Sequence, residues 1–129
     1  MKIDFLKSKA EDFLKTTEYH FKEKMYHLVA FDLEQALQLF LKYTLFLKTR
    51  TYPPIHSIKE LLKGAGIIYK KEKEIQKIMD RNLHLISDLE QAYLTSRYLP
   101  AEFTKKQVED MGKFVNEMIK FLQKLWKKQ

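Results

Sequence analysis

The chain has 129 residues, with 45% hydrophobic and 32% charged side chains, no cysteine, three glycines and three prolines. This composition fits one folded domain, excludes disulfides, thiolate metal sites and a cysteine nucleophile, and argues against glycine-rich phosphate loops and turn-rich sheet folds. The net charge of +7 favours anionic partners, although it also serves solubility. We therefore expect a single all-α domain over residues 1–129.

The apolar runs of the sequence are short. Charges interrupt the amino-terminal residues, which excludes the apolar core of a signal peptide. The apolar run from Leu37 to Leu47 contains Gln38 and Lys42 and is too short to span a bilayer, which takes about 20 residues. We expect a cytoplasmic protein that does not bind a membrane.

The first two predicted helices are long. Over residues 3–22, apolar side chains recur at every third or fourth position and predict an amphipathic helix. Residues 25–49 are apolar nearly all round, so this second helix must be covered on several sides, and it must stop before Pro53. Other helices of the chain can cover two faces, and the third face is available for a homodimer contact.

A short third helix follows the two prolines. Ser57 and Glu60 have the spacing of a capping box, which predicts that the helix begins there. Gly64 and Gly66 follow the apolar residues of this segment, and glycine is the common residue after a helix end. We therefore expect the third helix to close at these glycines.

Two further helices complete the predicted fold. The fourth begins in the charged segment 69–73 and ends near residues 97–100. Thr104 and Gln107 have capping-box spacing and predict the start of a fifth helix. Together these patterns predict an antiparallel up-and-down four-helix bundle with an additional short helix.

The positive charge is concentrated in two segments. Residues 42–73 have eight basic against two acidic side chains, and residues 104–129 have seven against three. A solvated lysine surface is the simpler interpretation of the second segment. In the first segment, Arg50 and several tyrosines add a bidentate donor and stacking surfaces, so a phosphate-attracting patch is an equal alternative.

His56 is the most suggestive titratable residue. It lies just before the third helix and six residues after Arg50. An imidazole near a guanidinium is the minimal equipment for RNA cleavage by transfer to a 2′-hydroxyl, because one group can act as a base while the other stabilises the phosphate. The same histidine can instead hold the loop by hydrogen bonds to backbone groups.

The other histidines carry weaker signals. Asp80 and His84 are spaced to share one helical face, where the pair could orient an imidazole or contribute to a metal site. Two ligands from one helix are too few for a metal site, so we predict none. His20 and His27 have no acidic neighbour at metal-ligand spacing, and we interpret both as structural.

A second candidate cluster lies near the end of the fourth helix, at Tyr93, Arg97 and Tyr98. The arginine and the tyrosines could bind a phosphate or a base. They could equally anchor the turn into the fifth helix by hydrogen bonds to carbonyl groups. The sequence leaves both roles open.

Three segments together resemble the HEPN-domain family. Residues 30–42 (AFDLEQALQLFLK) are similar to the family's second-helix pattern, a Gln-Ala pair followed by apolar residues and a lysine. Residues 56–62 (HSIKELL) resemble its His-Ser-Leu-x-x-Leu-Leu motif, and residues 92–98 (AYLTSRY) its Tyr-x-x-Ser-Arg-Tyr-Pro motif. The three segments occur in the family's order and spacing and cover nearly the whole chain.

The resemblance implies an antiparallel bundle with an added short helix. It also implies a homodimer that is often encoded beside a minimal nucleotidyltransferase, as a toxin-antitoxin-like pair. Catalytic members are ribonucleases with an arginine followed four to six residues later by a histidine, but no histidine follows Arg97 here. Leu99 also replaces the family's usual proline, and Pro100 comes one residue later. These departures imply the non-catalytic branch.

The leading hypothesis is a cofactor-free, non-catalytic module that binds a nucleotide, a nucleic-acid phosphate or a minimal nucleotidyltransferase. One alternative is a metal-independent endoribonuclease toxin that uses Arg50 and His56, or His84. Another is a purely structural bundle that binds a protein partner. The expected ligand-binding residues are His56, Lys59, Tyr93, Arg97 and Tyr98.

Overall fold

The computed structural model describes residues 4–98 and 102–127, and the side chains of all of these except Ser96, Arg97 and Tyr98. The all-α class is confirmed, because every regular element in these residues is a helix. Six helices are present rather than the five expected. They are α1 (Asp4–Lys22), α2 (Tyr26–Thr49), α3 (Ile58–Tyr69), α4 (Glu72–Arg81), α5 (Leu83–Tyr98) and α6 (Lys105–Trp126).

Helix α2 is the centre of the bundle. It packs against α1, α3, α5 and α6. Among its side chains, Ala36, Leu37 and Leu41 are completely inaccessible to solvent. The sequence correctly predicted that an all-round apolar helix needs cover, but the chain's own helices provide more of that cover than expected. The part of α2 that stays half-exposed is one narrow ridge.

The end of α3 was predicted wrongly. Gly64 and Gly66 lie inside the helix, which ends at Lys70 in the left-handed region at φ 57°. Gly66 is buried where α3 meets α4, and a Cβ there would lie 3.3 Å from the Glu72 Cα. This glycine therefore serves close packing between two helices rather than termination.

The predicted fourth helix is two helices. The break falls at Asn82, whose backbone has left the helical region at φ −129°. The Asn82 side-chain amide donates to the Ile78 carbonyl over 2.8 Å and so competes with the continuing helix. Asp80 therefore lies in the last turn of α4 while His84 lies in the first turn of α5, and the two residues do not share a face of one continuous helix.

The last helix begins as predicted. The Thr104 hydroxyl accepts from the Gln107 amide over 3.1 Å, and the Gln107 side chain accepts from the Thr104 amide over 2.9 Å. Together these bonds form the expected capping box. All six helices contribute to one hydrophobic core, and every buried side-chain nitrogen or oxygen of the described residues has a hydrogen-bond partner. Across the same residues, no helix combines the length and apolarity needed to cross a membrane.

Candidate functional site

His56 lies on the loop that joins α2 to α3. Two contacts show that the loop runs back along α2. Tyr52 lies near Phe46, with ring centroids 6.0 Å apart, and His56, four residues later, is hydrogen-bonded to Gln38, about two turns closer to the start of α2. The His56 Nδ1 atom lies 3.0 Å from the Gln38 Oε1 atom. The imidazole also stacks on the Tyr93 ring of α5, with centroids 5.0 Å apart and planes inclined by 20°. His56 is exposed, so its ring is held in place but accessible.

A buried carboxylate lies behind Gln38. The Gln38 side-chain amide donates to one oxygen of Glu34 over 2.8 Å, and Gln35 donates to the other over 2.7 Å. Glu34 has no solvent-accessible surface. Burial raises its pKa to about 7, against the opposing effect of the two amide donors. Glu34, Gln38 and His56 form a hydrogen-bonded chain from the core to the surface, which we call the relay.

A second carboxylate closes the site from α5. Glu90 accepts from the Ser57 hydroxyl over 2.7 Å and from the Lys59 backbone amide over 3.1 Å. The Ser57 hydroxyl in turn accepts from the Glu60 amide over 3.2 Å, as expected for an N-cap. The amino terminus of α3, which otherwise attracts anions, therefore already holds a carboxylate of the chain itself.

Lys42 is the buried cation nearest to this network. Its side chain is almost fully covered, and its ammonium lies 5.9 Å from the centre of the Tyr52 ring. Burial lowers the pKa of Lys42, while the negative charge of Glu34 acts in the opposite direction. The lysine and Glu34 therefore influence each other, although eight residues of α2 separate them.

Three of the five expected ligand-binding residues come together. His56 and Tyr93 are stacked, and exposed Lys59, on the first turn of α3, is joined to α5 through the bond from its backbone amide to Glu90. The side chains of Arg97 and Tyr98 lie outside the described residues. The backbone places Arg97 one helical turn after Tyr93 on α5.

The alternative catalytic residues lie further away. Arg50 caps the carboxyl end of α2, twelve residues after Gln38, which corresponds to about 18 Å of helix rise. His84 is exposed on the first turn of α5, nine residues or about 14 Å of rise before Tyr93. Neither residue shares the hydrogen bonds of the relay. In the part of the chain described, no three histidine, aspartate or glutamate side chains form a metal-binding group.

Sequence reasoning missed a second histidine contact. His20 of α1 places its Nδ1 atom 2.6 Å from an oxygen of Asp32 on α2. Asp32 is buried; burial raises the pKa of its carboxyl group, and the His20 hydrogen bond and charge oppose that effect. The available signal was compositional, because Asp32 and Glu34 are the only acidic residues in the apolar segment 25–41. Acids in such a segment must be buried with partners.

The fold is a helical bundle centred on the apolar helix α2, and the histidine-containing motif that begins at His56 lies at the start of α3. The family model described as the HEPN domain matches residues 3–125. The chain therefore belongs to the HEPN family, and the resemblance read from the three motifs is confirmed. Searches of curated proteins and of solved structures found no significant match.

Proposed function

We propose that this HEPN chain is a non-catalytic module that binds a nucleotide, or the phosphate of a nucleic acid, on the surface around His56. The observation that carries the proposal is the exposed imidazole, which is stacked on Tyr93 and fixed by Gln38. A flat ring held at the surface offers a base a stacking partner that needs little ordering on binding. The hydrogen bond between the His56 ring edge and Gln38 keeps the imidazole in one orientation.

The phosphate-binding part is assigned to cations. Lys59 is exposed on the first turn of α3, and Arg97 follows Tyr93 by one turn of α5. Arginine forms bidentate bonds to phosphate, and lysine adds a point charge. Because the Glu90 carboxylate already accepts from the Lys59 amide at the amino terminus of α3, the proposed phosphate site does not use that helix end. The local excess of basic residues in segment 42–73 supports attraction of an anion.

The distances favour binding over cleavage. General acid-base cleavage of RNA needs a base and a cation that converge on one phosphate. Arg50 lies about 18 Å of helix rise from Gln38, which holds His56, and His84 lies about 14 Å of rise from Tyr93. The ribonuclease alternative is therefore the weaker one on this geometry.

The proposal is tested by titrating the protein with ATP and with a short single-stranded RNA. We expect Arg97→Ala to weaken binding at least about tenfold, because a charge-assisted phosphate bond is lost. Arg81→Ala, which removes an exposed arginine at the end of α4, is the matched control and should bind like the wild type. Equal affinity in all three proteins would overturn the site. Cleavage of the RNA at stoichiometric protein would replace the proposal by the ribonuclease alternative.

The proposal extends to partners. HEPN domains commonly dimerise, and α2 keeps a half-exposed ridge at Leu28, Phe31, Leu39 and Phe46 that is suited to a homodimer contact. A minimal nucleotidyltransferase, in a toxin-antitoxin-like pair, is the proposed protein partner. Light scattering at micromolar concentration tests the dimer, and a monomer alone would contradict it. Co-purification with a co-expressed nucleotidyltransferase tests the second partner.

A further inference from the structure

The relay has a fixed hydrogen-bond direction. An ionised carboxylate only accepts hydrogen bonds. Where Glu34 is ionised, above a pH of about 7, it receives one from Gln35 and one from Gln38, so the NH₂ group of Gln38 points toward Glu34. The amide oxygen of Gln38 is then the atom that points toward His56, at 3.0 Å from Nδ1.

This direction determines where the proton of His56 lies. An amide oxygen has no proton to give, so the bond to Gln38 requires a proton on Nδ1. In a neutral imidazole the other nitrogen, Nε2, then carries the free electron pair. Because His56 is exposed and Nδ1 faces Gln38, the part of the ring left for a ligand is a hydrogen-bond acceptor.

We infer that Glu34 and Gln38 are positioning residues that hold His56 in its Nδ1-protonated form, so that the site takes a ligand hydroxyl or amino group donated to His56 Nε2. This inference rests on the proposed function and divides the nucleotide between two parts of the site. Toward the neutral imidazole, whose Nε2 is an acceptor, a phosphate oxygen is an acceptor as well, so the two cannot form a hydrogen bond. The phosphate therefore binds the cations Lys59 and Arg97, whereas a sugar hydroxyl or base amino group binds His56.

The charges around the relay fit this assignment. Glu34 faces the negative charge of Glu90 from α5 and the positive charge of Lys42 from its own helix. Glu90 also accepts bonds beside His56, from Ser57 and from the Lys59 amide. An incoming phosphate would be repelled near the imidazole by the negative charge of Glu90 and, from behind, by that of buried Glu34 when it is ionised, whereas a neutral donor group would not be repelled. The inner part of the site thus favours hydroxyl or amino groups over anions.

The position of the proton can be measured directly. Long-range ¹H–¹⁵N correlation spectra of ¹⁵N-labelled protein at about pH 8.5, above the range in which histidines usually titrate, distinguish the two neutral forms. We expect the proton of His56 on Nδ1 in the wild type. Gln38→Met removes the acceptor and should shift His56 toward the Nε2-protonated form. Gln35→Met is the matched control, because Gln35 bonds the same carboxylate but not His56, and it should keep the wild-type form.

A proton on Nε2 of His56 in the wild-type protein overturns the inference, and this measurement needs no variant to fold. A wild-type spectrum for Gln38→Met would also count against the positioning role. Both results are independent of any ligand.

The ligand class is tested by titrating adenosine and inorganic phosphate at the same pH. Adenosine offers hydroxyl and amino donors without a phosphate, so it should shift the His56 ring signals. At equal concentration we expect this shift to be at least about tenfold larger than the shift caused by phosphate. A larger response to phosphate overturns the assignment. If neither probe shifts any signal and ATP does not bind, the proposed function fails together with the ligand assignment. The proton position on His56 still decides the role of Glu34 and Gln38.

Discussion

Helix α2 buries two carboxylates that differ in their hydrogen-bond partners. Asp32 and Glu34 are two residues apart, which places them about 200° apart around the helix, and both are almost completely inaccessible. Asp32 contacts the His20 imidazole of α1 directly, over 2.6 Å. Among the described residues, the hydrogen-bond partners of Glu34 are the neutral amides of Gln35 and Gln38, and the second amide separates it from His56.

The difference shows how two buried carboxylates of one helix can be satisfied by different kinds of partner. A direct imidazole contact joins α1 to α2 and compensates part of the buried charge of Asp32, although burial still raises the pKa of this carboxyl group. Two amides compensate Glu34 less completely, so the pKa of this carboxyl group rises to about 7. The amide of Gln38 donates to Glu34, so its oxygen is left to accept a hydrogen bond from the surface imidazole of His56. The Asp32 pair is interpreted as a structural contact, and the Glu34 relay as part of a binding site.

The largest expected effect comes from neutralising Glu34. Its folded-state pKa of about 7 lies above its ordinary value of 4.5, so the folded protein binds this proton more tightly than the unfolded chain. That stabilising contribution is complete below about pH 4.5 and is lost as the pH rises through about 7. Glu34→Gln, which cannot ionise, should therefore raise the free energy of unfolding by about 3 kcal/mol at pH 8.5 and change it little at pH 4.

Urea denaturation of both proteins across this pH range measures the difference. Glu11→Gln is the control, because Glu11 is exposed on α1 and its neutralisation should have little effect at either pH. A Glu34→Gln protein no more stable than the wild type at pH 8.5 would contradict the interpretation of Glu34 as a poorly compensated charge.

Breaking the Asp32 pair should have the opposite sign. His20→Ala leaves the buried Asp32 carboxylate without its nearest partner, and we expect a loss of about 2 kcal/mol at pH 7. His27→Ala, which truncates an exposed histidine on the first turn of α2, should cost less than about 0.5 kcal/mol. Adding Asp32→Asn to His20→Ala should recover part of the loss, since the unpaired charge is then removed. Equal stability of the two histidine variants would remove the contrast between the carboxylates.

Local patterns predicted most of the fold. Apolar periodicity and the capping residues at Ser57 and Thr104 gave the helical class and the starts of α3 and α6. The break at Asn82 was missed because it depends on a side-chain bond that competes with the helix. The end of α3 was missed because the residue with positive φ is Lys70, whereas the glycines serve packing against α4. Such choices depend on tertiary contacts that no short window contains.

The sequence motifs predicted outer residues of the candidate site but not its inner residues. His56, Ser57 and Tyr93 belong to motifs that can be recognised from local spacing. Gln38 is 18 residues away from His56, and Glu90 is 33 residues away from Ser57. These contacts arise only when the loop folds back along α2 and α5 packs beside it. Side-chain partners at such separations are set by the packing of helices, which composition and periodicity do not report.

The smallest predicted effect concerns how much the positive charge of Lys42 compensates the buried charge of Glu34. Lys42 lies eight residues further along α2, about 12 Å of rise, and its charge lowers the pKa of Glu34. Lys42→Met should therefore raise that pKa and move the pH at which stability is lost upward, by less than about one pH unit because the charge of Lys42 is the smallest of the effects on this pKa. The measurement is the free energy of unfolding at closely spaced pH values, with Lys48→Met as the control, since Lys48 is exposed near the far end of α2. A midpoint that stays unchanged or moves downward would mean that the amides alone compensate Glu34. In that case neutral amides would be the compensating partners of Glu34, whereas Asp32 has the His20 imidazole as a close partner.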